Sequence, residues 1–357
     1  MNNVFINRKE ELSKLCFGLK RGNNYIVIAP RRYGKTRLIQ KVLKEVGKEK
    51  GFVTFDLDIM CYSGGSIKSI AEGIIEKCLG MLGIRGKLRQ LIRQTDFQLS
   101  LKLKYNELEV EPIIKLFDTK EPENEWKLLE HSLELIEKVA KWNKKRVVVF
   151  FDEFGELAAL GERAIKIFRS VIQKQEVCSY IFAGSQETVM SNIFIDKAGA
   201  FYRFGELIYL DVLSNEDVFI YLQENFPEVS TEVIGLNLEI LRGHPYYTGL
   251  IVEHLSYNSK LGKTPEAFVS YIYNELLENE RAYLELQVLQ IKEKANALEV
   301  IRLIALGLNP YSEINHIKRS NIGNVLRGLE VGGFIRRRGV GNYVITDPLL
   351  EIFLKNN

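Results

Sequence analysis

Tyr25-Ile26-Val27-Ile28-Ala29-Pro30-Arg31-Arg32-Tyr33-Gly34-Lys35-Thr36 is the stretch from which the rest of the chain is read. Tyr25 to Ile28 is a short β-branched run, the pattern of a buried strand. The run stops at Ala29-Pro30, and an apolar helical periodicity begins at Gly34 and continues through Leu38, Ile39 and Val42. Strand, tight loop, Gly-Lys-Thr and helix in that order are the context that gives a phosphate-binding loop its meaning. The backbone N–H groups of such a loop wrap a phosphate at the start of a helix, where the helix dipole favours anions. In this pattern Lys35 reaches the β- and γ-phosphates and the Thr36 hydroxyl holds Mg²⁺. The residues expected around the nucleotide are therefore Ala29, Pro30, Arg31, Arg32, Tyr33, Gly34, Lys35, Thr36 and Arg37. The loop departs from the common pattern at its first glycine, which is Ala29 here, so the backbone at that position must avoid positive φ.

A second half of the site is expected elsewhere, and Arg146 to Leu157, R-V-V-V-F-F-D-E-F-G-E-L, supplies it. Val147 to Phe151 is an unbroken apolar run, as in a central parallel strand buried on both faces. It ends in Asp152-Glu153 at the strand's C-terminal edge, where α/β sheets bind ligands. Asp152 is the candidate for holding Mg²⁺ and Glu153 for deprotonating the attacking water. Taken alone, the pair also reads as an acidic turn after a buried strand.

The 357 residues suffice for two or three domains, and 46% hydrophobic content for a sizeable core. A balance of 49 basic against 46 acidic residues, +3 overall, gives no global polyanion signal, so any nucleic-acid argument must rest on a local patch. Met1-Asn2-Asn3 leads straight into a charged helical pattern, which points to no leader peptide. No apolar run approaches the roughly 20 residues that span a bilayer. Cys16, Cys61, Cys78 and Cys178 show no paired spacing, and His131, His244, His254 and His316 show no metal-ligand spacing. The expectation is a cytoplasmic protein with neither zinc nor disulfides.

In chain order, Asn7 and Glu10 suit a capped helix with Leu12, Leu15 and Leu19 along one face. Phe5, Ile6, Asn7 and Arg8 are candidates for the adenine side of the site, or simply the entry to an amphipathic helix. Phe52 to Leu57 reads as a strand and 67–82 as a helix. Gln98 to Val110 alternates with period two and predicts a hairpin turning near Asn106, an insertion over 98–112 on the rim of the sheet. Trp126 to Val139 and Ala164 to Ile172 are helical. Cys178 to Ala183 is another strand, followed by Gly184-Ser185-Gln186. Ser185 and Gln186 would emerge at the same edge as Asp152, fit to sense the γ-phosphate, or they form an ordinary strand-end turn. Leu207 to Leu210 is the last strand, and Arg203 before it could reach a phosphate, its own or a neighbouring molecule's, or stay a surface arginine. Helices dominate from Ser214. Gly243-His244-Pro245-Tyr246-Tyr247 interrupts them and either closes over a base or makes a helix corner.

The C-terminal segment predicts helices at 298–305, 312–317 and 321–331, then strands at 334–338 and 343–345 around Gly339-Val340-Gly341-Asn342. Three helices and a β-ribbon are a winged helix-turn-helix. Lys318, Arg319, Asn321, Asn324, Arg327, Arg336 and Arg338 form its candidate double-stranded DNA surface. Such modules also dock proteins, and Arg336 and Arg338 could instead pair with acidic residues of the nucleotide-binding core and lock a resting state.

F-I-N-R-K-E-E-L, A-P-R-R-Y-G-K-T, V-V-V-F-F-D-E, F-A-G-S-Q, G-H-P-Y-Y and the terminal Asp347-Pro348-Leu349-Leu350 together resemble the archaeal-type ATPases of the STAND branch of P-loop NTPases, close to AAA+ proteins. The domain order also resembles archaeal origin-recognition initiators. The resemblance implies an α/β P-loop core with a parallel sheet, a helical lid whose Pro245 sits over adenine, and a winged helix closing on the nucleotide. The expected divisions are 1–211, 212–288 and 289–357. The function expected is a slow ATPase switch using ATP/ADP and Mg²⁺. A DNA-binding initiator or regulator and an ADP-holding protein scaffold remain as alternatives.

Overall fold

The computed structural model describes residues 6, 8–63, 66–81, 102–104, 107–109, 122–260, 275–339 and 341–356. Five strands form one sheet: β1 (Tyr25–Ile28), β2 (Phe52–Asp58), β5 (Arg146–Asp152), β6 (Cys178–Gly184) and β7 (Glu206–Tyr209). Their spatial order is β2-β5-β6-β1-β7, and every pair is parallel. The strand holding Asp152 and the strand ending just before Ser185 thus lie side by side, next to the strand that feeds Lys35.

Side chains alternate across this sheet as a period of two requires. Ile26, Ile28, Val147, Val149, Phe151, Tyr180 and Phe182 pack into one core. Tyr25, Val27, Val148, Phe150, Ile181 and Ala183 pack into another on the opposite face. Both faces are covered by helices, which is why the central strands are apolar without interruption. Helices Lys9–Lys20 and Lys35–Gly47 cover one face through Leu15, Leu19, Leu38, Ile39, Val42 and Val46. Helices Ile67–Met81, Pro122–Trp142 and Glu162–Ile172 cover the other.

The period-two stretch after residue 98 contains β3 (Lys102–Lys104) and β4 (Glu107–Glu109), paired antiparallel with Leu103 opposite Leu108. Asn106 lies outside the described residues, as do Phe5, Asn7 and residues 261–274.

Apolar side chains change cores between Leu210, which packs under the sheet, and Leu213, which does not. From Leu213 onward one continuous core takes in helices Asn215–Asn225, Thr231–Leu241, Pro245–Lys260 and Leu277–Lys292 and the whole C-terminal segment. The division expected at 288/289 falls inside the helix Leu277–Lys292, whose Leu284 and Ile291 are both buried in that shared core. The C-terminal segment has helices Ala297–Ala305, Pro310–Glu313 and Arg319–Val331, then β8 (Ile335–Gly339) and β9 (Asn342–Ile345) as an antiparallel ribbon, and helix Pro348–Asn356. The short helix sits earlier than the sequence pattern suggests. Pro310 starts it at its first turn, and Asn309 caps it by accepting from the Tyr311 N–H at 3.0 Å. Among the described residues no helix is long and apolar enough to cross a membrane.

Candidate functional site

The loop after β1 turns on two residues with positive φ, Arg32 at 67° and Gly34 at 82°. Gly34 meets that demand without a side-chain clash. Ala29 needs no left-handed backbone, so the missing first glycine is accommodated. Helix Lys35–Gly47 starts immediately after Gly34, and Lys35 is buried at 5% exposure. Its ammonium donates to the Ala29 carbonyl at 2.9 Å and the Pro30 carbonyl at 3.3 Å, and stands 3.9 Å from a Glu153 oxygen. Burial pulls its pKa down, and Glu153 and Asp152 oppose that. The loop is thus closed on itself by its own lysine.

Thr36 is exposed, and its hydroxyl donates to Asp152 Oδ2 at 2.5 Å. Asp152 is buried at the end of β5. Burial raises its pKa, and the Thr36 hydrogen bond offsets part of that rise. The next residue, Glu153, has φ of 45°, in the left-handed region. It lies between two anchored aromatics. Phe151 and Phe154 are fully buried, and the Phe154 ring is 4.7 Å from that of Phe182. Packing on both sides over-determines the turn, which holds Glu153 in a backbone costing on the order of 1–3 kcal/mol. The carboxylate then points at the neighbouring strand. Its Oε2 accepts from the Ser185 N–H and from the Ser185 hydroxyl, each at 2.9 Å. Gln186 is tied sideways, donating to Glu156 Oε1 at 2.8 Å.

The roof over the loop comes from the second half of the chain. Gly243 has φ of 66°, and a Cβ there would stand 2.0 Å from the Leu213 carbonyl oxygen, so only glycine fits. This close approach brings His244 and Pro245 down onto the loop. A Cβ added to Gly34 would stand 3.9 Å from Pro245 Cβ. The Tyr33 ring meets His244 edge-on at 5.2 Å, and the Tyr33 hydroxyl donates to the Thr346 carbonyl at 3.2 Å. Burial pushes the Tyr33 phenol up to about 12 and His244 down to about 3. Arg8, also with positive φ, donates to the carbonyls of Tyr33 at 3.2 Å and Asp211 at 2.6 Å. A cleft of about 270 Å³ remains between Pro30–Tyr33, Ser185 and Gln186, helix Leu277–Lys292 and the β8–β9 ribbon.

Residues 5–242 match the profile of a family described as an ATPase domain predominantly from Archaea. The chain belongs to that archaeal ATPase family. No curated protein matches it. Among solved structures it is similar to a Walker-type ATPase of Pyrococcus abyssi, at 18% identity and a TM-score of 0.65, covering 98% of this chain and 96% of that one. It is also similar to the ORC2 protein of Aeropyrum pernix in its ADPNP–ADP complexes, at 13% identity and a TM-score of 0.60, covering 99% and 94%. The five-stranded parallel sheet with its helices is the P-loop NTPase fold these proteins share, and the chain is a P-loop ATPase of the archaeal family.

Three sequence expectations change on this scaffold. Arg203 is on the wrong side of the sheet for its own loop. It precedes β7, and Glu206 pairs with Tyr25 at the start of β1, so it stands at the N-terminal edge while Gly34 is at the C-terminal edge. The strand between is four residues, about 13 Å. Arg32 contributes to the loop through its backbone only, because its guanidinium turns toward helix Leu277–Lys292 and pairs with Glu280 at 2.9 Å. Arg336 and Arg338 do share a face, but that face looks at the ATPase core, with Asp211 at 3.4 and 3.5 Å. By contrast Lys318, Arg319, Asn321, Asn324 and Arg327 are all exposed on or beside helix Arg319–Val331. Arg31 and Arg37 are exposed, and Ile6 is buried against the second-half core.

Sequence reasoning missed Asp211, Glu280, Tyr283 and Thr346. Glu280 sits in a charged helix where nothing in the pattern separates it from Glu278. Asp211 follows a strand in an ordinary way. Only Asp347 carried a signal, through the terminal Asp-Pro-Leu-Leu. Its carboxylate accepts from the Tyr247 hydroxyl at 2.9 and 2.8 Å.

Proposed function

We propose that this ATPase is a slow, nucleotide-driven conformational switch, with ATP held between the core and a helical lid that begins near Leu213 and runs through helix Leu277–Lys292, and with a C-terminal winged helix closing over it. The observation that carries the reading is the convergence of Lys35, Thr36, Asp152, Glu153 and Ser185 at one sheet edge, within mutual hydrogen-bond or ion-pair reach. The loop N–H groups and Lys35 would bind the phosphates. Thr36 and Asp152 offer an all-oxygen donor set of the kind that suits a hard divalent ion, so they are the residues that would hold Mg²⁺. That ion, when bound, supplies neutralisation of phosphate charge. Glu153 would orient the attacking water and take its proton. Both Ser185 donors occupy its Oε2, which leaves Oε1 alone to meet the water and supports slow turnover. The similarity to a structure holding ADPNP and ADP adds to the nucleotide reading.

A second reading, DNA binding that nucleotide tunes, has one supporting observation: the exposed Lys318, Arg319, Asn321, Asn324 and Arg327. The pairing of Arg336 and Arg338 with Asp211 weighs against it.

The test is to purify the protein, identify its retained nucleotide and compare Lys35→Ala with wild type by calorimetry. Lys35 is the buried cation of the loop, so ATP affinity should fall by orders of magnitude. Unchanged affinity overturns the proposal. ADP that never exchanges, with no hydrolysis, would make the chain a nucleotide-holding scaffold.

A further inference from the structure

Arg32 belongs to the phosphate loop by backbone and to the lid by side chain. Its φ of 67° is one of the two left-handed turns between Pro30 and Lys35 that shape the loop. Its guanidinium leaves the loop and enters a cage built by two different lid helices. It lies 4.3 Å from the ring centre of Tyr246, from helix Pro245–Lys260, and 4.0 Å from that of Tyr283, from helix Leu277–Lys292. Glu280 closes the cage. One of its oxygens accepts from Arg32 at 2.9 Å and the other from the Tyr246 hydroxyl at 3.1 Å. The Arg32 side chain is 27% exposed and that of Glu280 13%, so the pair is only partly screened by water. A planar guanidinium between two aromatic faces with a carboxylate at its edge satisfies all its directions at once, which a lysine would not.

We infer that Arg32 is a positioning residue through which the lid governs release of the nucleotide. This rests on the ATPase reading above. While the lid grips the guanidinium, the strained backbone at residue 32 is held and the loop N–H groups stay aimed at one point. When Tyr246 and Tyr283 part, residue 32 is free to leave the left-handed region. The cradle then loosens and product ADP departs. The lid thus acts on the loop directly, without a contact to the nucleotide of its own at this position.

Stopped-flow release of a fluorescent ADP analogue tests this on the full chain. Tyr283→Leu removes one aromatic face from a residue that is already 38% exposed. Arg32→Lys keeps the charge and loses the stacking. Each should speed ADP release about tenfold at little change in thermal midpoint. The double variant should release no faster than either single one, because both changes break the same contact. A cage that only staples the lid would lower the thermal midpoint and leave release unchanged, and that result overturns the inference, as do additive effects in the double variant. Should Tyr283→Leu fail to fold, Arg32→Lys and Glu280→Gln decide between the same two results. Wild-type protein that holds no nucleotide overturns the ATPase reading and this inference together. Wild type that holds it, with variants releasing at the wild-type rate, overturns this inference alone.

Discussion

Replacing Glu153 by glutamine separates binding from chemistry in this site. Both Ser185 donors go to one carboxylate oxygen, Oε2, at 2.9 Å. A glutamine carbonyl can accept both, so the side chain keeps its place with its amide nitrogen where Oε1 was. That position is 3.9 Å from Lys35 Nζ, and the amide forfeits the ion pair there. Lys35 retains its two loop carbonyls, Ala29 and Pro30. The cradle is therefore expected to survive, and removing one negative charge from beside the phosphates should not weaken ATP binding. What is lost is the ability to accept a proton, and a positioned general base contributes about 10²- to 10⁴-fold. The expected result is ATP affinity at or above wild type with single-turnover hydrolysis slower by that factor, about 3–5 kcal/mol in barrier. The assay is single-turnover hydrolysis of γ-labelled ATP beside a calorimetric titration. Hydrolysis at the wild-type rate would remove Glu153 as the base and leave Glu156 and Gln186, which share a 2.8 Å hydrogen bond, as the next candidates.

Two more expectations follow from the contacts between the halves of the chain. His244, wedged between Tyr33 and Tyr247 with Arg32 nearby, has its pKa lowered from 6.5 to about 3 by burial, so between those values the unfolded chain binds one proton that the folded chain does not. Stability should therefore rise with pH across that window, by up to about 1.4 kcal/mol per pH unit, and the slope difference from His244→Gln in urea titrations measures it; identical slopes would refute it. Arg336→Ala with Arg338→Ala removes two partly exposed pairs to Asp211, each worth within about 1 kcal/mol. Nucleotide exchange should accelerate while stability barely moves. If duplex DNA instead shifts the wild type and the variant lowers the salt slope by about two, the arginines serve phosphates after all; absence of any shift at low and moderate salt ends the DNA reading.

The nucleotide half of this protein was legible in the sequence because its determinants are local. An apolar run, a loop of fixed length and Gly34-Lys35-Thr36 specify strand, turn and helix with little help from elsewhere. The same holds for Val147 to Glu153, where burial on both faces of the sheet forces the unbroken hydrophobic pattern. Even the ribbon Ile335–Ile345 and the helix before it could be read from period and glycines. Three-dimensional structure alone decided which charges face which. Arg203 could be read as an arginine for its own loop, yet it lies at the opposite edge from it, because a parallel sheet sends all its strand starts to one side. Arg336 and Arg338 look like solvent-facing cations until folding brings Asp211, more than a hundred residues earlier, against them. Arg32 reads as a loop arginine, yet Glu280 claims it across 248 residues of chain, with the Tyr283 ring against it. Period and propensity act over a few residues, whereas ion pairs and aromatic cages form between surfaces that meet only once the cores have packed.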